Sequence, residues 1–185
     1  MRRSMARRSM AGFSLVEVMV ALLVTCFGVL GMLAMQGRTI AYAQDTILRS
    51  NAAELADELM EMMRTDIYST QDGSAAQVVP PSSWGYYKAA SASFPAAPSS
   101  CASLASLTAS QRLACWSQRV NQALPGASGL AGEFYVCRTN GTSKCSNSGS
   151  AIEIQLAWRV KAGECLDANA TGDNTICRYV LREEP

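Results

Sequence analysis

The stretch "AGFSLVEVMVALLVTCFGVLGMLAMQ", residues 11–36, decides how the rest of the chain is read. Between Val18 and Met35 it runs for 18 residues with Thr25 as its only polar side chain, long enough for a membrane-crossing helix. Glu17 nevertheless stands at its head, where a carboxylate at the centre of a bilayer would cost roughly 2.5–3.5 kcal/mol. Either the segment is not a membrane helix, or Glu17 has a partner elsewhere, or it lies shallow enough to snorkel to the interface.

The flanks favour a membrane segment with a defined direction. Arg2, Arg3, Arg7 and Arg8 precede Gly12 with no acid among them, and Arg38 is the first basic residue beyond the apolar run. That asymmetry predicts a cytoplasmic start and an outward-facing remainder. A cleaved secretory signal is the competing reading, since Ala41-Tyr42-Ala43 has the A-x-A form and the arginines would serve as its basic region. Against it, the apolar run exceeds the roughly 7–15 residues of a signal core, and the A-x-A sits inside a continuing helical pattern.

Cysteine usage fits an oxidising compartment. Cys26 lies in the apolar run, whereas Cys101, Cys115, Cys137, Cys145, Cys165 and Cys177 all lie in the last 85 residues. No pair has C-x-x-C spacing and the chain has no histidine, which argues against a zinc or redox motif and excludes histidine acid–base chemistry. Six outer cysteines allow 15 pairings. The sequential set Cys101–Cys115, Cys137–Cys145 and Cys165–Cys177 is favoured because each closes a local loop. With the four leading arginines removed, twelve basic and fifteen acidic residues remain, a net charge of −3. No basic footprint for nucleic acid is left in the body of the chain.

Gly12, Phe13, Ser14 and Glu17, behind a short basic leader and ahead of an apolar helix, resemble the class III signal of type IV pilins and type II secretion pseudopilins. The resemblance implies cleavage after Gly12 by the prepilin peptidase, N-methylation of Phe13, and a role for Glu17 at the fifth mature position. Cleavage leaves an ammonium on Phe13, and Glu17 lies about 6 Å farther along a helix. In a bundle of subunits Glu17 of one copy would meet the Phe13 ammonium of its neighbour. The pair strengthens as the local dielectric falls and strands a charge if one member is lost.

Helical spacing continues beyond residue 36 through Ile40, Ile47, Leu48, Ala52, Leu55, Leu59, Met62 and Met63, with acids and arginines between. No proline occurs before Pro80, so one helix from about Ser14 to Thr65 is expected, weakened at Gly28, Gly31 and Gly37. Major pilins often carry a helix-breaking proline in this segment, and this chain has none. Met60, Met62 and Met63 are read as core filling. Asp72-Gly73 is the expected stop. Residues 72–110 are rich in Ser, Ala and Pro but carry Trp84, Tyr86, Tyr87 and Phe94, which suggests an irregular excursion pinned by aromatics; a disordered loop is the alternative.

A second helix is expected in "LTASQRLACWSQRVNQALPG", capped by Thr108 or Ser110 and stopped by Pro125-Gly126. Strands follow in "GEFYVCR", "AIEIQLAWRVK" and "TICRYVLRE". In the second, Ile152, Ile154, Leu156, Trp158 and Val160 point one way and Glu153, Gln155, Arg159 and Lys161 the other. The predicted fold is α+β and pilin-like: a long amino-terminal helix, transmembrane then amphipathic, packed on a small disulfide-stapled antiparallel sheet of about three or more strands. Its expected parts are a cleaved leader (1–12), a transmembrane and assembly half-helix (13–36), an amphipathic half-helix (37–71) and a periplasmic head (72–185).

Trp116, Val120, Leu124, Pro125 and Gly126, followed by the strand around Phe134–Val136, resemble the minor pilins known as type IV pilus modification proteins (PilV). That resemblance implies an inner-membrane, single-pass precursor that enters a type IV pilus near its tip. It would help prime assembly and support twitching motility and adhesion. The implied partners are the prepilin peptidase, other minor pilins, the major pilin, the assembly platform and a tip adhesin. A secretion pseudopilin, or a module binding a surface, DNA or phage, is the alternative. In "DANATGDN", Asp167, Asn169, Thr171, Gly172 and Asp173 mimic half an EF-hand loop, but Arg178 stands where the closing glutamate belongs. No metal, cofactor or catalytic residue is expected. Asn140-Gly141 is read as a hairpin turn rather than a glycosylation site.

Overall fold

Helix α1 spans Leu15–Thr70 in the computed structural model, which describes residues 12, 14–70, 83–141, 145–165 and 172–184, without the side chains of residues 38, 69 and 70. It is continuous through Gly28, Gly31 and Gly37 and ends five residues later than Thr65. The extension has a packing cause. Ala52, Ala56, Leu59, Met60, Met63 and Ile67 form one buried stripe at helical spacing, and Ile67, 3% exposed, carries it past Thr65. Asp72 and Gly73 lie outside the described residues. Contacts divide the chain into two compact units, Met1–Ala41 and Tyr42–Pro185. In the first, every side chain from Leu15 to Met35 is exposed.

The second unit is an α+β head. Its 15-residue helix α2, Ala109–Ala123, begins at Thr108 with a full capping box: the hydroxyl accepts from Gln111 N–H while Gln111 Oε1 accepts from Thr108 N–H. Gly126, at φ 69°, then turns the chain into the 3₁₀ segment Ala127–Glu133. A Cβ there would lie 2.8 Å from Arg159 Cβ, so glycine is required both by conformation and by space.

The sheet has three antiparallel strands in the order β1 (Tyr135–Thr139), β2 (Ala151–Arg159) and β3 (Ile176–Glu183). β1 starts later than "GEFYVCR" suggests, because Gly132 and Glu133 belong to the preceding 3₁₀ segment. β2 likewise ends at Arg159 rather than Lys161. Asn140-Gly141 opens the β1–β2 connection but does not close a two-residue turn; β2 begins only at Ala151.

One core joins these parts. Ile152, Ile154, Leu156 and Trp158 on β2 are fully buried in the same cluster as the α1 stripe and Leu113, Trp116 and Val120 of α2. Burying such side chains stabilises by roughly 1.5–3 kcal/mol each. Trp116 Nε1 also donates to Leu55 O at 2.8 Å, satisfying the indole where it is buried. The excursion after α1 is tied in by aromatics and a cation. Tyr86 is fully buried, and Phe94 lies 5.8 Å from the ring of Phe134. Lys88, 3% exposed, donates to the carbonyls of Ala131 and Phe134 at 2.8 and 2.7 Å, and its backbone pairs with Val136.

The opposite face of β2 is not the solvated face its polar residues suggest. Glu153 is fully buried, accepting from Tyr135 Oη at 2.6 Å and from Arg182 Nε and Nη2 at 2.9 and 2.6 Å. Gln155 Nε2 donates to Glu133 O at 2.6 Å. Cross-strand register sets the first cluster, because Glu153 pairs directly with Arg182.

Removing one member of a buried ion pair leaves a stranded charge. Arg182→Ala is expected to cost about 3–5 kcal/mol in urea unfolding of the head, read by tryptophan fluorescence. The paired change Glu153→Gln with Arg182→Met should recover most of that loss.

Candidate functional site

The amino-terminal site begins with exposed Gly12; Phe13 and the leader arginines lie outside the described residues. Val18 N–H donates to Ser14 O at 3.3 Å, so Ser14 occupies the cap of α1 and Glu17 its third helical position. Ser14-x-x-Glu17 therefore has the capping-box pattern, a feature not drawn from the sequence. An acid here is favoured by the positive end of the helix dipole, independently of any later partner. Glu17 is exposed, and no cation among the described residues pairs with it. From Leu15 onward the helix presents apolar side chains all round, including Leu15 at 75% and Phe27 at 72% exposure. Its most apolar window has a mean hydropathy of 2.5, long and apolar enough to cross a membrane.

In the head, three cysteine pairs stand at disulfide distance: Cys101–Cys115, Cys137–Cys145 and Cys165–Cys177, with Cα separations of 5.7, 5.2 and 5.6 Å. They enclose sequence separations of 14, 8 and 12 residues. Each loop would contribute roughly 2.5–3 kcal/mol on chain-entropy grounds. Cys26 is free and exposed on the apolar half of α1.

A second polar cluster closes the junction of α1, α2 and the excursion. Tyr86 Oη donates to Asp66 Oδ2 at 2.7 Å, Arg112 pairs with Asp66 Oδ1, and Arg112 Nε donates to Leu104 O at 2.8 Å. Beside it Glu58, Glu61, Met62, Thr65, Leu104 and Ala105 line a shallow groove. Sequence periodicity missed Asp66 and Lys88 because their partners lie far away in the chain. The only available signal was a polar residue interrupting a region that otherwise had to be buried. No nucleophile and base are brought together in either cluster.

The calcium-like loop is only partly visible, since Asp167, Asn169 and Thr171 lie outside the described residues. Asp173 Oδ1 accepts from the backbone N–H and hydroxyl of Thr175 at 2.9 and 2.6 Å, and Arg159 stands 3.6 Å from its other oxygen. These contacts hold the Asp173 carboxyl below its usual range. Arg178 turns away to Glu133, at 2.9 Å.

Residues 7–33 match the family described as the prokaryotic N-terminal methylation motif. That match supports a type IV pilin-like protein that carries a class III signal and is processed by a prepilin peptidase. With the apolar helix it fits a single-pass inner-membrane protein. No curated protein and no solved structure matches the chain.

Three tyrosines give the head a defined alkaline limit. Burial pushes Tyr86 and Tyr135 well above the ordinary phenol range, aided by Asp66 and Glu153 respectively, and pushes Tyr87 up to about 12. Above about pH 10 the folded head therefore holds more protons than the unfolded chain, and stability falls as pH rises. Burial lowers Lys88, which acts in the opposite sense only below its ordinary value of 10.5. Urea midpoints should consequently decline steadily above about pH 10.5, and Tyr87→Phe should reduce the slope.

Proposed function

We propose that this protein is a minor pilin: an inner-membrane precursor cut after Gly12, N-methylated at Phe13 and drawn into a type IV pilus, where it helps prime assembly. The carrying observation is the methylation motif at residues 7–33 together with a helix whose side chains from Leu15 to Met35 are all exposed. Such a surface is stable in lipid before assembly and against other apolar helices afterwards, so one segment serves both states.

The charge logic is local. Once the leader is removed, the new amine at Phe13 has no neighbouring acid closer in sequence than Glu17. Four residues of ideal helix would separate the two groups by about 6 Å along the axis. In a bundle, the amine of an incoming subunit is free to meet the Glu17 carboxylate of the one before it. An apolar surrounding strengthens that attraction and penalises any register that leaves either charge alone. Glu17 is thereby a register residue with no catalytic part. The proposed partners are the prepilin peptidase, other minor pilins, the major pilin, the assembly platform and a tip adhesin. Oxidised cysteines and an amino-terminal cluster of arginines support a periplasmic head.

Assignment to the priming role rests on the resemblance around Trp116–Gly126 and Phe134–Val136. A pseudopilin of type II secretion would use the same signal, so the test has to separate the two machines. Gene deletion should abolish or sharply reduce twitching and surface pili while leaving exoprotein secretion normal; lost secretion with normal pili would overturn the pilus assignment. In the complemented strain, Glu17→Ala should be cut and inserted normally, yet support about a tenth or less of wild-type piliation. Full piliation by Glu17→Ala would remove the charge-pair argument.

A further inference from the structure

The third disulfide lies against an ion pair on α1. Asp45 is 1% exposed, and its Oδ1 stands 3.4 Å from Cys177 Sγ while Oδ2 accepts from Arg49 Nε at 3.0 Å. Arg49 also reaches the other sulfur, with Nη2 3.9 Å from Cys165 Sγ. Its guanidinium carbon lies 5.7 Å from the ring centroid of Trp158, which is opposite Cys177 in the β2–β3 register. The carboxylate and two sulfurs approach within 4.8 Å of one another, a grouping seen in metal sites. Here the sulfurs are paired with each other, and a resident arginine already supplies the positive charge. The same proximity bears instead on thiol exchange.

The two sulfurs differ in access. Cys177 is fully buried, whereas Cys165 is partly exposed. A small thiolate from solvent therefore attacks Cys165 Sγ. A bond forms between the reagent sulfur and Cys165, the Cys165–Cys177 bond breaks, and the electron pair departs on Cys177 Sγ as a thiolate. That charge develops 3.4 Å from the Asp45 carboxylate, in a place removed from water. Burial and a neighbouring anion both disfavour a thiolate, and a poorer leaving thiolate slows exchange. Among the described residues the atoms in contact at the other bridges are neutral: Gln118 Oε1 lies 3.6 Å from Cys101 Sγ and the Glu153 carbonyl 3.9 Å from Cys137 Sγ. The Glu153 carboxylate, opposite Cys137 in the β1–β2 register, is held by Tyr135 and by both Nε and Nη2 of Arg182.

We infer that Asp45 guards the Cys165–Cys177 bridge against thiol exchange and makes it the last of the three to open. The guard is a charge placed where the leaving electron pair must go, and Arg49 holds that charge in position. The start of β3 and the chain at residue 165 thus stay joined under reducing conditions that exchange the other two loops.

The test uses the full oxidised chain in detergent micelles, exposed to dithiothreitol and sampled by alkylation and peptide mass mapping of each bridge. In the wild type, Cys101–Cys115 and Cys137–Cys145 should open first. Asp45→Asn should speed opening of Cys165–Cys177 by about tenfold or more, leave the other two rates unchanged, and be reversed by Asp45→Glu. Arg49→Gln breaks the same ion pair but leaves the carboxylate, so it should not speed opening. The guard is overturned if the third bridge opens with or before the others in the wild type. It is equally overturned if Arg49→Gln accelerates opening as much as Asp45→Asn, or if Asp45→Asn accelerates all three, since loosening rather than charge would then be the cause.

Discussion

Apolar surface has to leave water, and the stretch from Leu15 to Met35 has nothing among the described residues to cover it. Large side chains such as Leu15, Phe27 and Leu30 keep 62–75% of their surface exposed, far from the scattered exposure of a soluble domain. Everything else about the protein follows from that debt of burial. Lipid can meet it, as can the same segment of other subunits, and neither requires a change in α1 itself. The position of Glu17 is tolerable for a related reason. At the third helical position it faces the positive end of the helix dipole, so the acid is favoured there even before a cationic partner arrives.

The head solves a different problem. A three-stranded sheet and one 15-residue helix enclose little apolar volume, so the core borrows the stripe Ala52–Ile67 from α1. Even so, several polar groups are trapped, and the charged ones at three places are matched with partners of opposite character. Glu153 has Tyr135 and Arg182, Asp66 has Tyr86 and Arg112, and Lys88 has backbone carbonyls together with the Phe94 ring at 4.9 Å. Such clusters specify one arrangement of the elements more than they add net stability, because desolvation offsets much of their attraction. Covalent loops supply what the small core does not.

The long helix, the capped second helix and the three strands were legible in the sequence because each rests on local spacing. Thr108 or Ser110 offered a cap, which the structure places at Thr108, Pro125-Gly126 marked a stop, and Ile152–Trp158 a two-residue alternation. Ends were less legible. α1 continues past Thr65, where Ile67 is buried and Asp66 meets Arg112, a partner 46 positions away. What covers the outer face of β2 was not legible: alternation identifies two faces but says nothing of what packs on the second. Glu153 looks like a solvent residue until the β2–β3 register sets Arg182 opposite it. The amino-terminal signal was the most legible feature of all, since Gly12, Phe13, Ser14 and Glu17 lie within six residues and carry their chemistry in order.

The central claim is that this carboxylate-bearing helix begins, in the working protein, at an amine made by cutting after Gly12. Intact-mass and amino-terminal peptide spectrometry of the protein purified from membranes or pili tests it most directly. A chain beginning at N-methylated Phe13 is the predicted result. A chain beginning at Gln44, cut after Ala43, or one still starting at Met1 would contradict the account.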